Sequence, residues 1–499
     1  MMRPLAATIT LGAALASTAC KFPYPGDVDD APARDDSGTD ALAVPGGDAK
    51  AQLSLGTGVR GTVSAVAPPG GGLLIAYDAN GLAIVAGTTL PCSSCSVVAK
   101  LDASLTELEW YAYADTPEIR ESRLAISPSG SVYWGLEAAG DDQYTFTIGG
   151  SRFAHPLTIS VVGNSDQGQE PGGARIVVAL GPTGEARWSH TLRQVDTAPG
   201  NALGPFAVFA AADDALVSSL EGKGTLEYVN QSGVTASTAV AQLSQVLHEL
   251  DPATGHTVSV LVQPESGSYA LHQRAIGVPG LDGRGFLRTD TDHDADGLDL
   301  GDRLRIGAFQ NGFDTSVTDS ISVPAGETRF VAVTLDGQPA AFDTIHAAAT
   351  IAGTHLTAPS TNGDAVFVVL DRASPSVLAT MYVAGRGYDR AAFMAGSATD
   401  AFIGGTYEST DLLIGNDRLP APPDAGSHGV FLARVRGEGA ALIAEWSRGY
   451  IATGSLDVKS AAVDAATGDL YAIVTVSATV DVGLGPIGGT FVARFLRGS

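Results

Sequence analysis

Cysteine is nearly absent from this chain: 499 residues hold three, Cys20, Cys92 and Cys95. That excludes a disulfide-dense scaffold and a four-cysteine zinc centre. Basic residues are also scarce. Lys and Arg number 29 against 54 Asp and Glu, so the net charge is −25. A polyanion repels nucleic acid and anionic membrane, and both are excluded as partners of the folded part. The acidity can attract cations, but solubility is enough to explain it. Charged residues make up only 17% of the chain and apolar ones 44%, so a sizeable core can form and the chain is not disordered as a whole. No GxSxG elbow and no second CxxC exist. His248-Glu249 begins a zincin motif, but Pro252 stands where the second histidine belongs. Gly483 to Gly488 fits GxGxxG by letter, yet a strand follows it and no helix opens. Glycine is plentiful at 61 residues, as many tight turns between short strands require.

The only long apolar run is Leu5 to Ala16, preceded by Arg3. It is too short to span a bilayer, and residues 1–19 read as a secretory signal peptide. Ser17-Thr18-Ala19-Cys20 resembles the lipobox of bacterial lipoproteins, with Ser17 where leucine is usual. The resemblance implies cleavage before Cys20 and its acylation by several chains, as stable anchoring needs. The other reading is an ordinary signal peptide cut after Ala19. Lys21 follows instead of the aspartate associated with inner-membrane retention, so the expected address is the outer membrane, periplasmic or surface-exposed. Residues 20–49 are rich in Pro, Asp and Gly and read as a flexible acidic tether.

From residue 50 to 499 a short β-rich pattern recurs, often closed by Asp or Gly. Its copies are Val97–Asp102, Ile176–Gly181, Val246–Asp251, Phe330–Asp336, Val366–Asp371, Phe431–Val435 and Phe491–Phe495. A turn and a second strand follow most copies, carrying Trp110, Trp188 or Trp446 in three of them. Another strand pair precedes most copies. The unit is thus about four strands joined by hairpins, the unit of a propeller blade. The expected fold is all-β, a β-propeller of about seven four-stranded blades. Six blades remain possible, because the fourth-to-fifth interval is short. The last copy lacks its following strand, and Ala51–Gly56 resembles Ala444–Gly449, so the N-terminal strand is expected to complete the last unit.

The strand pattern, the tryptophan after it and Thr479-Val480-Asp481-Val482-Gly483 resemble the SBBP-type β-propeller repeats of exported bacterial lipoproteins. The resemblance spans residues 50–499. It implies the fold and brings no single activity with it.

The strongest chemical motif lies in an acidic insertion, residues 280–303. Asp292, Asp294 and Asp296 alternate ahead of Gly297, which permits a sharp turn, and Leu298 offers a carbonyl. This resembles the calcium loops of EF-hands, dockerins and thrombospondin type 3 repeats. Arg303 occupies position twelve, where a bidentate Glu usually sits, and Asp299 or Asp302 would substitute. Calcium is the expected ligand; the plain alternative is a solvated acidic loop. Cys92-Ser93-Ser94-Cys95 leads into a strand and not a helix, so a small structural disulfide is expected over a redox pair. The three tryptophans share one strand position, which suits core packing better than sugar stacking.

No paired catalytic constellation can be placed, so the expected role is non-catalytic: an envelope scaffold that binds a protein or polysaccharide. Two rivals stand beside it. One is an envelope enzyme acting on carbohydrate through loops of one face; the other is an outer-membrane assembly factor.

Overall fold

The computed structural model describes residues 46–498 apart from short segments, the longest at 162–172, 265–273, 278–284, 309–317 and 324–330; for 263–334 it describes the backbone alone. The signal peptide, Cys20 and nearly all of the tether lie outside the described residues. Every regular element described is a β-strand, and none is a helix that could cross a membrane.

The first strand, β1, is Ala49–Gly56. A first antiparallel group of four follows: β2 (Val59–Val66), β3 (Leu73–Val85), β4 (Thr88–Leu101) and β5 (Leu108–Ala114). The second group is β6 (Ile119–Ile126), β7 (Val132–Ala139), β10 (Gly173–Leu180) and β11 (Ala186–Gln194), interrupted by the pair β8 (Tyr144–Gly150) and β9 (Leu157–Val161). The third is β12 (Ala202–Ala212), β13 (Ala215–Asn230), β14 (Gly233–Leu250) and β15 (Thr257–Pro264). The fourth is β16 (Arg274–Gly277), β17 (Gly285–His293), β18 (Asp299–Ala308) and β19 (Thr318–Val323). The fifth is β20 (Val331–Leu335), β21 (Gln338–Ile345), β24 (Asp364–Leu370) and β25 (Val377–Ala384), with β22 (Ala348–Ile351) and β23 (Thr354–Thr357) between. The next is β26 (Asp389–Gly396), β27 (Asp400–Tyr407), β30 (His428–Glu438) and β31 (Ala441–Thr453), with the short β28 (Leu413–Ile414) and β29 (Asp417–Arg418) inserted. The last group has only three strands of its own: β32 (Leu456–Val463), β33 (Leu470–Asp481) and β34 (Pro486–Phe495). Its fourth strand is β1, antiparallel to β34 from Ala49 opposite Phe495 to Gly56 opposite Thr490.

Burial explains the sequence pattern. The third strand of a group is covered on both faces: β10 and β24 are buried at every residue, and Ile176–Leu180 and Ala365–Leu370 within them read as unbroken apolar runs. The fourth strand is covered on one face, and β5 accordingly alternates, with Trp110, Ala112 and Ala114 inward. The apolar clusters span neighbouring groups. One joins Leu74, Val98 and Trp110 of the first to Trp134 and Ile176 of the second. Another joins Leu55 of β1 and Tyr471 and Val492 of the last to Ile75 and Val97 of the first.

First strands lie beside one another. β2 packs on β6, β6 on β12, β12 on β16, β20 on β26, β26 on β32, and β32 on β2. Side chains stitch some of these contacts: Ser64 Oγ accepts the Leu124 N–H at 3.0 Å and Ser460 Oγ the Ala65 N–H at 3.1 Å.

One repeat copy sits elsewhere than its pattern suggests. Val331–Leu335 is the first strand of its group and pairs with β21, whereas the other six copies lie in third strands. The third strand of the fourth group is β18, inside the acidic stretch. This accounts for the short fourth-to-fifth interval: the copies on either side of it occupy different places in their groups.

The hairpins between second and third strands reach back onto the preceding group. β8 pairs with β5, the distal half of β13 with β11, β28 with β25, and the end of β33 with β31. Thr479 and Val480, which resemble the SBBP linking loop, are the residues of β33 that pair with Thr453 and Ala452. Phe146-Thr147-Ile148-Gly149 and Leu412-Leu413-Ile414-Gly415 do the same work. Their shared signal, apolar alternation ending in glycine, is present in the sequence but short.

Candidate functional site

The acidic stretch forms a hairpin. Asp292 lies in β17 opposite Gly301, His293 closes the strand opposite Asp299, and Thr291 opposes Asp302. Asp299 and Asp302 therefore belong to β18. Asp294, Asp296 and Leu298 lie outside the described residues. The 280–303 insertion thus contains the second strand of its group and the start of the third. Alternating aspartates fit the two-residue period of a strand as well as the spacing of a calcium loop. Among the described side chains, no group of three or more His, Cys, Asp or Glu is placed to hold a metal.

Cys92 and Cys95 lie in β4 and are joined as a disulfide, with Cα atoms 6.0 Å apart and Ser94 between them at φ +57°. Both are buried in the cluster that joins the first group to β1 and the last group. This placement locks a local bulge under the β3–β4 hairpin. Both thiols should resist alkylation until reduced; labelling of either in unreduced protein would refute the bond.

The tryptophans are rivets. Trp110 Nε1 donates to the Pro182 carbonyl at 3.3 Å, and Trp188 Nε1 to that of Pro252 at 2.9 Å. Each thereby crosses from a fourth strand to the third-to-fourth turn of the next group. Gly184 and Gly255, at positive φ, lie so close beneath the indoles that a Cβ would collide with them. Trp446 Nε1 makes the equivalent bond to Arg497 O at 2.8 Å. In the last group that turn is split between the chain ends. The Gly47 N–H donates to Leu496 O and the Leu496 N–H to Asp48 O, at 2.8 and 3.0 Å. Arg448 and Tyr450 donate to the carbonyls of Gly46 and Gly47.

Two buried carboxylates stand out at the opposite strand ends. Burial pushes Asp78 up to about 7. Burial also pushes Asp389 up to about 6, and neighbouring Asp364 adds to it. Perturbed acids of this kind mark candidate sites for proton chemistry, but structural caps produce them too. Asp389 accepts from Ser409 N–H and Oγ, and Asp364 accepts from the Ser360 N–H at 2.6 Å. Both therefore act as loop caps, holding the 358–364 and 408–411 segments together. Nothing in the sequence marks either as buried.

No protein-family model matches the chain, and no curated protein matches it. Among solved structures, the chain is similar to a structure described as the Dos1 propeller, at 10% identity and a TM-score of 0.36, covering 90% of this chain and 94% of that one. It is also similar to a europium-containing methanol dehydrogenase, at 10% identity and a TM-score of 0.34, covering 91% and 93%.

Proposed function

We propose that the chain is an exported, lipid-anchored envelope scaffold: a seven-bladed β-propeller of SBBP type that binds a protein or polysaccharide partner and is stiffened by calcium. The observation that carries this reading is the shared last sheet. β1 supplies its outer strand, and the first strand of that sheet packs back on β2. Four-stranded groups whose first strands line up in succession, with both ends in one sheet, support a closed ring around an axis. A closed ring leaves no long open edge, which suits a protein that must persist in the envelope.

Calcium held between β17 and β18, through Asp292, Asp294, Asp296, Asp299, Asp302 and the Leu298 carbonyl, would stiffen that hairpin. With Arg303 at position twelve the affinity belongs to the weak extracellular class, on the order of 10⁻⁴–10⁻³ M. Calcium at ten times its dissociation constant would then stabilise the fold by about 1.4 kcal/mol. Thermal unfolding of the full chain with calcium and with chelator tests this. A reversible rise that Asp294→Ala with Asp296→Ala removes supports the site; equal melting in both conditions reduces the stretch to an acidic hairpin.

Anchoring has its own test. The mature protein should begin at Cys20 and carry fatty acids by intact mass, and Cys20→Ala should release it from membranes. A mature N-terminus without acyl chains refutes the anchor and leaves a soluble exported scaffold.

A further inference from the structure

Two histidines far apart in sequence meet inside the junction between the second and third groups. His190 lies on β11 and His248 on β14; they are 1% and 0% exposed, with ring centroids 4.8 Å apart. Tyr228 of β13 covers both, its ring 4.3 Å from His248 and 6.2 Å from His190. Around them lies an apolar cluster that includes Trp188, Leu192, Leu226, Val246 and Leu250. The junction is where the strap formed by distal β13 lies along β11, from His190 opposite Asn230 to Gln194 opposite Leu226.

We propose that the His190–His248 pair is an acid-sensitive latch, which holds the strap on β11 near neutral pH and releases it in acid. The hydrogen bonds suit neutral rings. His190 Nδ1 lies 2.9 Å from Gly255 O and so carries the proton, which leaves Nε2 an unprotonated acceptor with no partner. His248 Nε2 contacts Thr257 Oγ1 at 2.9 Å, and its Nδ1 is 3.5 Å from Ser218 Oγ. Both contacts are with hydroxyls, which can serve a neutral ring from either side.

The surroundings offer an imidazolium little help. β13 contributes Ser218 and Tyr228, β15 contributes Thr257, and the turn before it contributes His256, whose charge would oppose that of His190. Nearby carboxylates are engaged elsewhere. Glu249 on β14 accepts from Ser259 Oγ at 2.7 Å, Glu227 on β13 pairs with Arg193 of β11 at 2.9 Å, and Asp251 caps the Ala253 N–H. Charging one ring therefore places a cation beside a second imidazole in an apolar setting, and charging both adds direct repulsion.

The sign is fixed by burial. His190 is lowered to about 4 by burial and His248 lies well below its usual value for the same reason, whereas a released imidazole protonates near about 6.5. The open junction thus binds more protons between these values. The latch is full-strength above about pH 6.5 and weakens as pH falls toward about 4. Release would bare the edge of β11, a template for pairing with another chain.

Hydrogen exchange of the full chain at about pH 7.5 and about pH 5, corrected for intrinsic rates, tests the latch. With the shift of His190 alone, opening of the strap should rise about twentyfold or more. Peptides covering 186–194 and 223–230 should report it. The β33 segment on β31, Thr479 and Val480 opposite Thr453 and Ala452, is the internal control and should change far less. In His190→Gln with His248→Gln, the acid-to-neutral ratio at 223–230 should fall to that of the control, even if exchange is faster at both pH values. An acid response equal at both straps, or one that survives in the double variant, overturns the proposal.

Discussion

A chain without residues 46–56 should lose on the order of 5 kcal/mol of stability and should tend to self-associate. The magnitude follows from what β1 contributes. It pairs along β34 from Ala49 to Gly56, with ladder bonds at about 1 kcal/mol each. Leu55 is buried against the first group and adds about 1.5–3 kcal/mol. Gly46 and Gly47 also form the floor on which Trp446 rests, so the deletion strips one indole of its cover. Trp446→Ala should reproduce part of the loss from the other side, about 3–5 kcal/mol for a buried tryptophan. Chemical denaturation of both variants checks this. If deletion leaves the midpoint unchanged, β1 does not close the last sheet in solution and the ring reading fails.

Asp400→Ala should cost about 3–5 kcal/mol, far more than an ordinary surface ion pair. Asp400 is 3% exposed and stands at the start of β27. Its Oδ1 accepts from Arg434 Nε and Nη2 at 3.0 and 2.9 Å, and its Oδ2 from Arg497 Nη2 at 2.6 Å. Arg434 also donates to Arg497 O, and so ties β30 to the C-terminal segment. Removing the carboxylate leaves the buried Arg434 without its counter-charge, which is the expensive way to break such a pair. Lys100 provides the control. It occupies the same place in its strand copy as Arg434, but it pairs with exposed Glu109. Glu109→Ala should therefore change stability by only about 0–1 kcal/mol. Equal effects of the two substitutions would show that the Asp400 network is as solvated as the surface pair.

The all-β architecture is legible in the sequence because a strand buried on both faces has no alternative to an unbroken apolar run. Ile176–Leu180 and Val366–Leu370 advertise themselves in this way. The same logic misplaces Val331–Leu335. Composition does not report a strand's place in its group, and a first strand can be as apolar as a third one. Only its partner, β21, reveals its place. The acidic stretch is ambiguous in another way: alternating aspartates suit a strand as well as a calcium loop, and Asp292 lies within β17, opposite Gly301.

By itself, then, the sequence determined the strand-rich fold, the four-strand unit, the recurrent tryptophan position and the kinship of Ala51–Gly56 with Ala444–Gly449, since each is written in local pattern and repetition. Tertiary structure alone decided the rest. It set Trp446 against Gly46, Gly47 and Arg497, folded four of the described hairpins back on the preceding group, and buried His190 against His248. Those contacts join residues far apart along the chain. Their energies depend on burial and on which strands become neighbours, and no local window of sequence records either.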